Sequence, residues 1–326
     1  MGDPPAPDVA ICVPTRGRAL RLRWLLNSLA LQTTDSVRFE VVVGIDPDDA
    51  EAMATIAEHA MSADGRLRSV VMPSPSGPAA KRNAAWRASV APMIVFTDDD
   101  CRPPGDWLER LAEAARRHPG AVVQGATKPD PDEAALMLAS PFHRTQSVDP
   151  PEPWGQTCNI AYPRALLELV GGFDESFVVA SGEDTDLLHR ARDAGAEYVG
   201  ATDALTFHAV EPMSLGHRLR EAWRWRHVPA LAARHARHRR ELYLGVFQKR
   251  SHAWFLLACL GLLASRRHPA FALLALVWVR GRAPYYGPSL RGRIRSASEL
   301  PGRFALDAVE VAAYSRGSIE HRTLVL

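Results

Sequence analysis

The chain has 326 residues, 47% of them hydrophobic and 23% charged, which suits a large globular chain and excludes wholesale disorder or a disulfide-stapled miniprotein. The formal net charge is only +2, from 39 Lys and Arg against 37 Asp and Glu, and taken alone it argues against a nucleic-acid binder. The total hides a split. Residues 1–215 hold nineteen basic and thirty-one acidic residues, a net of −12. Residues 216–303 hold eighteen basic and three acidic residues (Glu221, Glu241, Glu299), a net of +15, and residues 304–326 come to −1. Such asymmetry points the basic segment toward an anionic surface.

The first apolar run, 8–13, predicts a strand that Pro14 and the polar TRGR end. Leu22, Leu25, Leu26 and Leu29 then recur at helical spacing. The continuous β-branched run 39–45 predicts a strand buried on both faces, closed by Asp46-Pro47-Asp48-Asp49. A helix from about Ala50 to Met61 and a strand over 67–72 follow. Ser76-Gly77-Pro78 opens a further helix, with Pro78 near its first position. Residues 93–97 predict a strand that stops at Asp98-Asp99-Asp100; Pro103-Pro104 start a helix, and 121–124 a strand. This alternation predicts an α/β fold, a parallel sheet with helices on both faces and its ligands at the carboxyl ends of the strands. Neither GxGxxG nor GxxxxGK[ST] is present, which removes support for dinucleotide and P-loop readings.

Residues 127–155 are rich in Pro and Asp and predict a long irregular stretch. A helix from about Pro163, a Gly171-Gly172 turn and a helix opening at Gly182-Glu183-Asp184 restore order. Residues 214–240 read as a long Arg/His/Trp helix that Pro229 kinks or divides. Two apolar stretches, 253–264 and 270–279, follow, each short of the roughly 20 residues a spanning helix needs. The four cysteines form no CxxC pair and read as reduced thiols of a cytosolic protein. The start, MGDPPAPDVA, has acids and prolines where an export signal needs basic residues and an apolar run, so no export is expected.

Three constellations carry candidate chemistry. Asp98-Asp99-Asp100 places three mutually repelling carboxylates at the end of an apolar strand. A divalent cation with a diphosphate would offset that repulsion, and a solvated helix-capping cluster is the bland alternative. Acids at the start of the 183 helix suit the helix dipole and alone mean nothing more. His208, in ALTFHAV, reads as a core residue unless the fold brings it to the aspartates.

Taken in order, VPTRGR (13–18), Asp46, KRNAAW (81–86), FTDDD (96–100), CNIAYPRALLELVGGFDE (158–175), GEDTDL (182–187) and FHAVEPMS (207–214) resemble family 2 glycosyltransferases of the GT-A fold, over roughly residues 8–215. The resemblance implies a Rossmann-like, mostly parallel sheet in a catalytic domain over 1–215, with a helical extension over 216–326. It implies an inverting glycosyl transfer from a UDP-, GDP- or dTDP-sugar, dependent on Mn²⁺ or Mg²⁺. Pro14, Thr15, Arg16, Asp46, Lys81, Arg82, Asn83, Asp98 and Asp99 match the donor-binding positions. Asp100, Asp98 and His208 match the metal site, and Asp184, with Glu183 beside it, matches the general base. The acceptor expected is a glycan or a lipid-linked or cell-envelope molecule.

The basic third, with Trp223, Trp225 and Trp254, suits peripheral contact with an anionic membrane at the inner face of the cell membrane. Packing on the catalytic domain or in an oligomer interface is the alternative, and nucleic acid is not expected. Two rival activities are a sugar-phosphate nucleotidyltransferase, for which VPTRGR is short and poor in glycine, and a non-catalytic nucleotide-sugar-binding scaffold.

Overall fold

The computed structural model describes residues 6–34 and 36–326. Residues 1–5, part of the stretch read as carrying no export signal, lie outside the described residues. The chain forms two compact units. One comprises the residues up to Leu138 together with Arg144–Glu211; the other comprises Ala139–His143 and Pro212–Leu326.

The first unit is built on one sheet of β1 (Val9–Thr15), β2 (Phe39–Ile45), β3 (Leu67–Val71), β4 (Met93–Thr97), β5 (Cys101–Arg102), β6 (Val122–Pro129), β7 (Asn159–Pro163) and β8 (Tyr198–His208), in the order β3-β2-β1-β4-β7-β6-β8-β5. The first four neighbours pair in parallel, as strand–helix alternation requires. β7 runs antiparallel between β4 and β6, β6 and β8 are parallel, and β5 is antiparallel to β8. The expected α/β, mostly parallel sheet is therefore present, with helices on both faces.

Period-two alternation sorts the strand side chains between those faces. Val9, Ile11, Val13, Val41, Val43 and Val95 join a core with the helices Ala19–Ala30, Ala50–Glu58 and Trp107–Arg117. Ala10, Cys12, Val42, Ile94 and Phe96 face Pro78–Ala88, Arg164–Val170 and Glu183–Asp193. Gly44 permits one of these contacts: a Cβ there would sit 2.5 Å from the carbonyl oxygen of Lys81. That lets the Pro78–Ala88 helix lie directly on β2.

Several elements depart from the sequence reading. The helix expected over 50–61 breaks at His59, which is extended and accepts a hydrogen bond from the N–H of Met61. The helix after Pro103-Pro104 begins only at Trp107. The stretch 127–155 is not wholly irregular: β6 continues to Pro129, a turn covers Pro131–Glu133 and a helix covers Ala134–Ala139.

The second unit is helical. The stretch expected as a long helix kinked or divided at Pro229 is divided there and elsewhere, into Leu215–Ala222, a tight turn Trp223–His227, Pro229–Arg234 and Ala236–Glu241, with extended His235 between the last two. Arg250–Ala264 and Ala275–Arg282, the latter entered through a turn at Pro269–Leu274, form a hairpin around the two apolar stretches. Leu290–Glu320 is a 31-residue helix with Pro301 inside it. Phe255, Trp278 and Val311, with Phe304 packed against them, join the hairpin to this helix.

Candidate active site

Because β1, β2 and β4 are parallel, their carboxyl ends share one edge, and Thr15, Asp46 and Asp98 meet there. The buried Lys81 ammonium donates to the carbonyl of Thr15 at 2.8 Å and to Asp46 Oδ2 at 2.7 Å. The Ser76 N–H donates to Asp46 Oδ1 at 2.9 Å, and Arg16 Nε lies 3.5 Å from Oδ2. Asp46 is thus fully buried with both oxygens engaged, while Arg16 is largely exposed. Pro14 lies within β1, half-buried.

The three aspartates divide their contacts. Asp98 accepts from Arg82 Nη2 at 2.8 Å. Asp99 is buried and accepts from the Thr15 hydroxyl at 2.7 Å and from Arg18 Nη1 at 3.2 Å. Burial first, and then Asp100 beside it, push the Asp99 carboxyl up to about 7. Arg18 also donates to Asp100 Oδ2 at 2.8 Å, which ties the loop after β1 to the end of β4. Arg18 stands in the VPTRGR run, yet nothing in the sequence singled it out for this part. Cys101 next door is no candidate nucleophile, since burial pushes its thiol up.

The pairing of β5 with β8 brings His208 to this cluster. Cys101 stands opposite His208, and the N–H of Ala209 donates to the carbonyl of Asp100 at 2.9 Å. His208 Nδ1 lies 2.9 Å from the carbonyl oxygen of Ala209. A carbonyl only accepts, so Nδ1 carries a proton, and Nε2 is the ring nitrogen left facing the aspartates. That atom is 3.3 Å from Asp100 Oδ1, a buried oxygen that accepts no hydrogen bond among the described residues. Asp98, Asp100 and His208 each offer one ligand atom within 4.8 Å of the others. Two hard carboxylate oxygens and an imidazole whose other nitrogen is held by a carbonyl fit a divalent cation.

Arg82, 5% exposed at its side chain, bridges this cluster to the second acidic pair. Its Nη1 lies 3.3 Å from Glu183 Oε1 and 3.4 Å from Asp184 Oδ1. Gly182, at φ 102°, makes the turn into the helix that starts at Glu183. Glu183 is buried and also accepts from the Ser181 N–H at 2.7 Å. Asp184 is 23% exposed at its side chain, and its Oδ2 accepts from the Thr157 N–H at 3.1 Å. Burial and the neighbouring Glu183 raise the Asp184 carboxyl to about 7, against the opposing pull of Arg82. The Thr157 contact depends on a main-chain donor, so no side-chain pattern announces it.

Asn83 is placed apart from solvent. Its amide nitrogen donates to the Phe173 carbonyl and to Glu175, and its oxygen accepts from Phe173 N–H and Trp86 Nε1. These contacts hold the Gly171-Gly172 turn against the Pro78–Ala88 helix.

The Glycosyl transferase family 2 model matches residues 10–172, half of the chain. The chain belongs to glycosyl transferase family 2. This glycosyltransferase is 27% identical over 223 residues to "Glycosyltransferase AglE" of Haloferax volcanii, covering 67% of this chain and 71% of that one. It is 29% identical over 209 residues to "Succinoglycan biosynthesis protein ExoM" of Rhizobium meliloti, covering 60% and 64%. It is 28% identical over 242 residues to "Pre-mycofactocin glycosyltransferase" of Mycobacterium tuberculosis, covering 70% of this chain but 48% of that protein. Among solved structures, its fold is similar to mannosyltransferase PcManGT from Pyrobaculum calidifontis in complex with GDP-Man and Mn²⁺, at TM-score 0.61 and 19% identity, covering 97% of this chain and 88% of that one. It is also similar to S. aureus TarS 1–349 in complex with UDP-GlcNAc, at TM-score 0.54 and 18% identity, covering 97% and 92%.

Proposed function

We propose that the protein moves a sugar from a nucleoside-diphosphate sugar to an acceptor hydroxyl, with inversion and with a divalent cation at Asp98, Asp100 and His208. The observation that carries this reading is the convergence of Asp98, Asp100 and His208, whose candidate ligand atoms all lie within 4.8 Å of one another. Two carboxylates and an imidazole gathered this closely offer a divalent cation an oxygen and nitrogen donor set. Two structural neighbours are described with a nucleoside-diphosphate sugar bound, one of them with Mn²⁺, which supports the donor class and the cation. The name of the Rhizobium meliloti relative, a succinoglycan biosynthesis protein, supports a role in glycan assembly.

When bound, the cation neutralises charge that develops on the departing diphosphate. The residues of the chain do the rest. Asp184 takes the proton of the acceptor hydroxyl as its oxygen bonds to the anomeric carbon, and the bond from that carbon to the diphosphate oxygen breaks with its electron pair. Attack opposite the leaving group inverts the anomeric centre. A carboxylate titrating near neutral pH is suited to this task, and Thr157 N–H with Arg82 fixes its orientation. Thr15 and Arg16 present the loop after β1 to the nucleotide, while Asp46, Lys81 and Asn83 hold that loop and the GGFDE turn in position. Asp99 anchors Thr15 and Arg18, and Glu183 pairs with Arg82 to fix the start of the base-bearing helix.

Thermal denaturation with UDP, GDP or dTDP, each with and without Mn²⁺, tests the reading. A diphosphate that raises the melting temperature only when Mn²⁺ is present supports it. Stabilisation by nucleoside triphosphate plus sugar phosphate, and by no diphosphate, contradicts it.

A further inference from the structure

The hairpin of the second unit is apolar on the side where such a helix pair is normally covered. Leu260 and Leu263 stand three residues apart on the Arg250–Ala264 helix, and Leu273, Leu276 and Val277 recur at helical spacing across the turn. With Phe271, these side chains are 42–64% exposed. The exposure does not come from a loose hairpin. A Cβ on Gly261 would lie 2.6 Å from the carbonyl oxygen of Phe271, and one on Gly281 would lie 2.2 Å from the Trp254 ring, so the two arms are in close contact. The opposite face is occupied by Phe255, Trp278, Phe304 and Val311. The outward stripe is therefore a fixed feature of a packed unit, and an exposed apolar patch of this kind marks an interaction surface.

Charge selects among partners. From Arg250 to Ser298 the chain has eight arginines and no Asp or Glu. Arg266 and Arg267 sit in the turn between the two apolar stripes, and Arg280 follows Leu276 by one helical turn; all three are exposed. An interface between protein copies would bring these arginines against one another unless acids opposed them, and this segment supplies none. A bilayer with anionic headgroups meets both features, because acyl chains receive the leucines and phosphates receive the guanidinium groups. No helix among the described residues is long and apolar enough to cross a membrane, and the Arg250–Ala264 helix spans only ~22 Å at 1.5 Å per residue.

We infer that the Arg250–Arg282 hairpin is an interfacial membrane anchor that seats its leucine face in an anionic lipid bilayer without spanning it. This assignment is independent of the donor and cation proposed above, since none of its residues belongs to that site.

Flotation of the full chain with vesicles of phosphatidylcholine, with and without phosphatidylglycerol, tests it. Wild-type protein should float with the anionic vesicles and far less with neutral ones. Leu263→Asp combined with Leu273→Asp should abolish flotation while leaving the thermal melt and the diphosphate-dependent shift unchanged. Arg266→Glu with Arg267→Glu should weaken binding by about tenfold or more, and added salt should weaken the wild type similarly. Failure of the wild type to float with either vesicle overturns the inference. So does flotation that the leucine substitutions leave intact. Light scattering that shows a dimer, made monomeric by the leucine substitutions in a protein that binds no vesicles, assigns the face to a second copy and also overturns it.

Discussion

His208 Nε2 faces Asp100 Oδ1 at 3.3 Å, and the Ala209 carbonyl holds the opposite ring nitrogen at 2.9 Å. The imidazole is thus oriented by the main chain, with Nε2 turned toward the carboxylate. His208→Ala removes one of the three candidate ligands and leaves Asp98 and Asp100. The Mn²⁺ concentration for half-maximal transfer should rise about tenfold to a hundredfold, with residual activity at saturating Mn²⁺. A titration of activity against Mn²⁺ measures this, and an unchanged midpoint removes His208 from the cation site.

Arg82 is the link between the two acidic clusters, touching Asp98, Glu183 and Asp184 from a buried position. Its removal leaves several carboxylates without their cation. Arg82→Ala should destabilise the protein by about 3–5 kcal/mol, read from urea denaturation at neutral pH. Arg82→Lys keeps the charge but cannot fork between three acids, so it should recover only part of the loss.

Asp184→Asn keeps an acceptor for the Thr157 N–H but cannot take a proton. Transfer should fall by about 10²-fold to 10⁴-fold, while the Mn²⁺-dependent shift with diphosphate persists. The pH profile gives a second check. The working form is the carboxylate, and burial raises its pKa to about 7, so transfer should climb as pH rises through about 7. The same raised pKa means that ionised Asp184 costs stability at neutral pH. Asp184→Asn should therefore lose activity without becoming less stable.

Glu310 tests the second unit. It accepts from Lys249 at 2.7 Å and lies 3.0 Å from His252 Nε2, and although burial acts to raise its pKa, Lys249 above all and then His252 lower it from 4.5 to about 2. Its folded pKa lies below the unfolded one, so its contribution is present above pH 4.5 and fades as pH falls toward 2. The difference amounts to about 3 kcal/mol. Glu310→Gln should flatten the dependence of the urea midpoint on pH across that window.

The legible part of this protein is the part built from local pattern. β1, β2 and β4 are largely apolar runs that end near Pro or Asp, and their limits follow closely from the residues themselves, although β1 continues through Pro14 to Thr15. The acids after β4 and at the start of the 183 helix were visible for the same reason. What escaped depends on distant partners. β5 is two residues long, and only its pairing with β8 makes it a strand, yet that pairing brings His208 to Asp100. The contact of Lys81 with Asp46 spans 35 positions, and neither side chain alone reveals it. Leu290–Glu320 carries Pro301 and several glycines, which argue against a long helix locally. Packing overrides them: a Cβ on Gly317 would lie 2.0 Å from the carbonyl oxygen of Arg226, so glycine is what allows that close approach. In the stretch 214–240 the division at Pro229 is legible from the residue itself, whereas the breaks at Trp223–His227 and at extended His235 are not.

The most direct test of the central claim is Mn²⁺ electron paramagnetic resonance with UDP or GDP present, comparing the wild type with Asp100→Asn. The account predicts that the wild type removes the free-ion signal in the presence of a diphosphate and that Asp100→Asn leaves it in solution. Equal Mn²⁺ uptake by both proteins would contradict it.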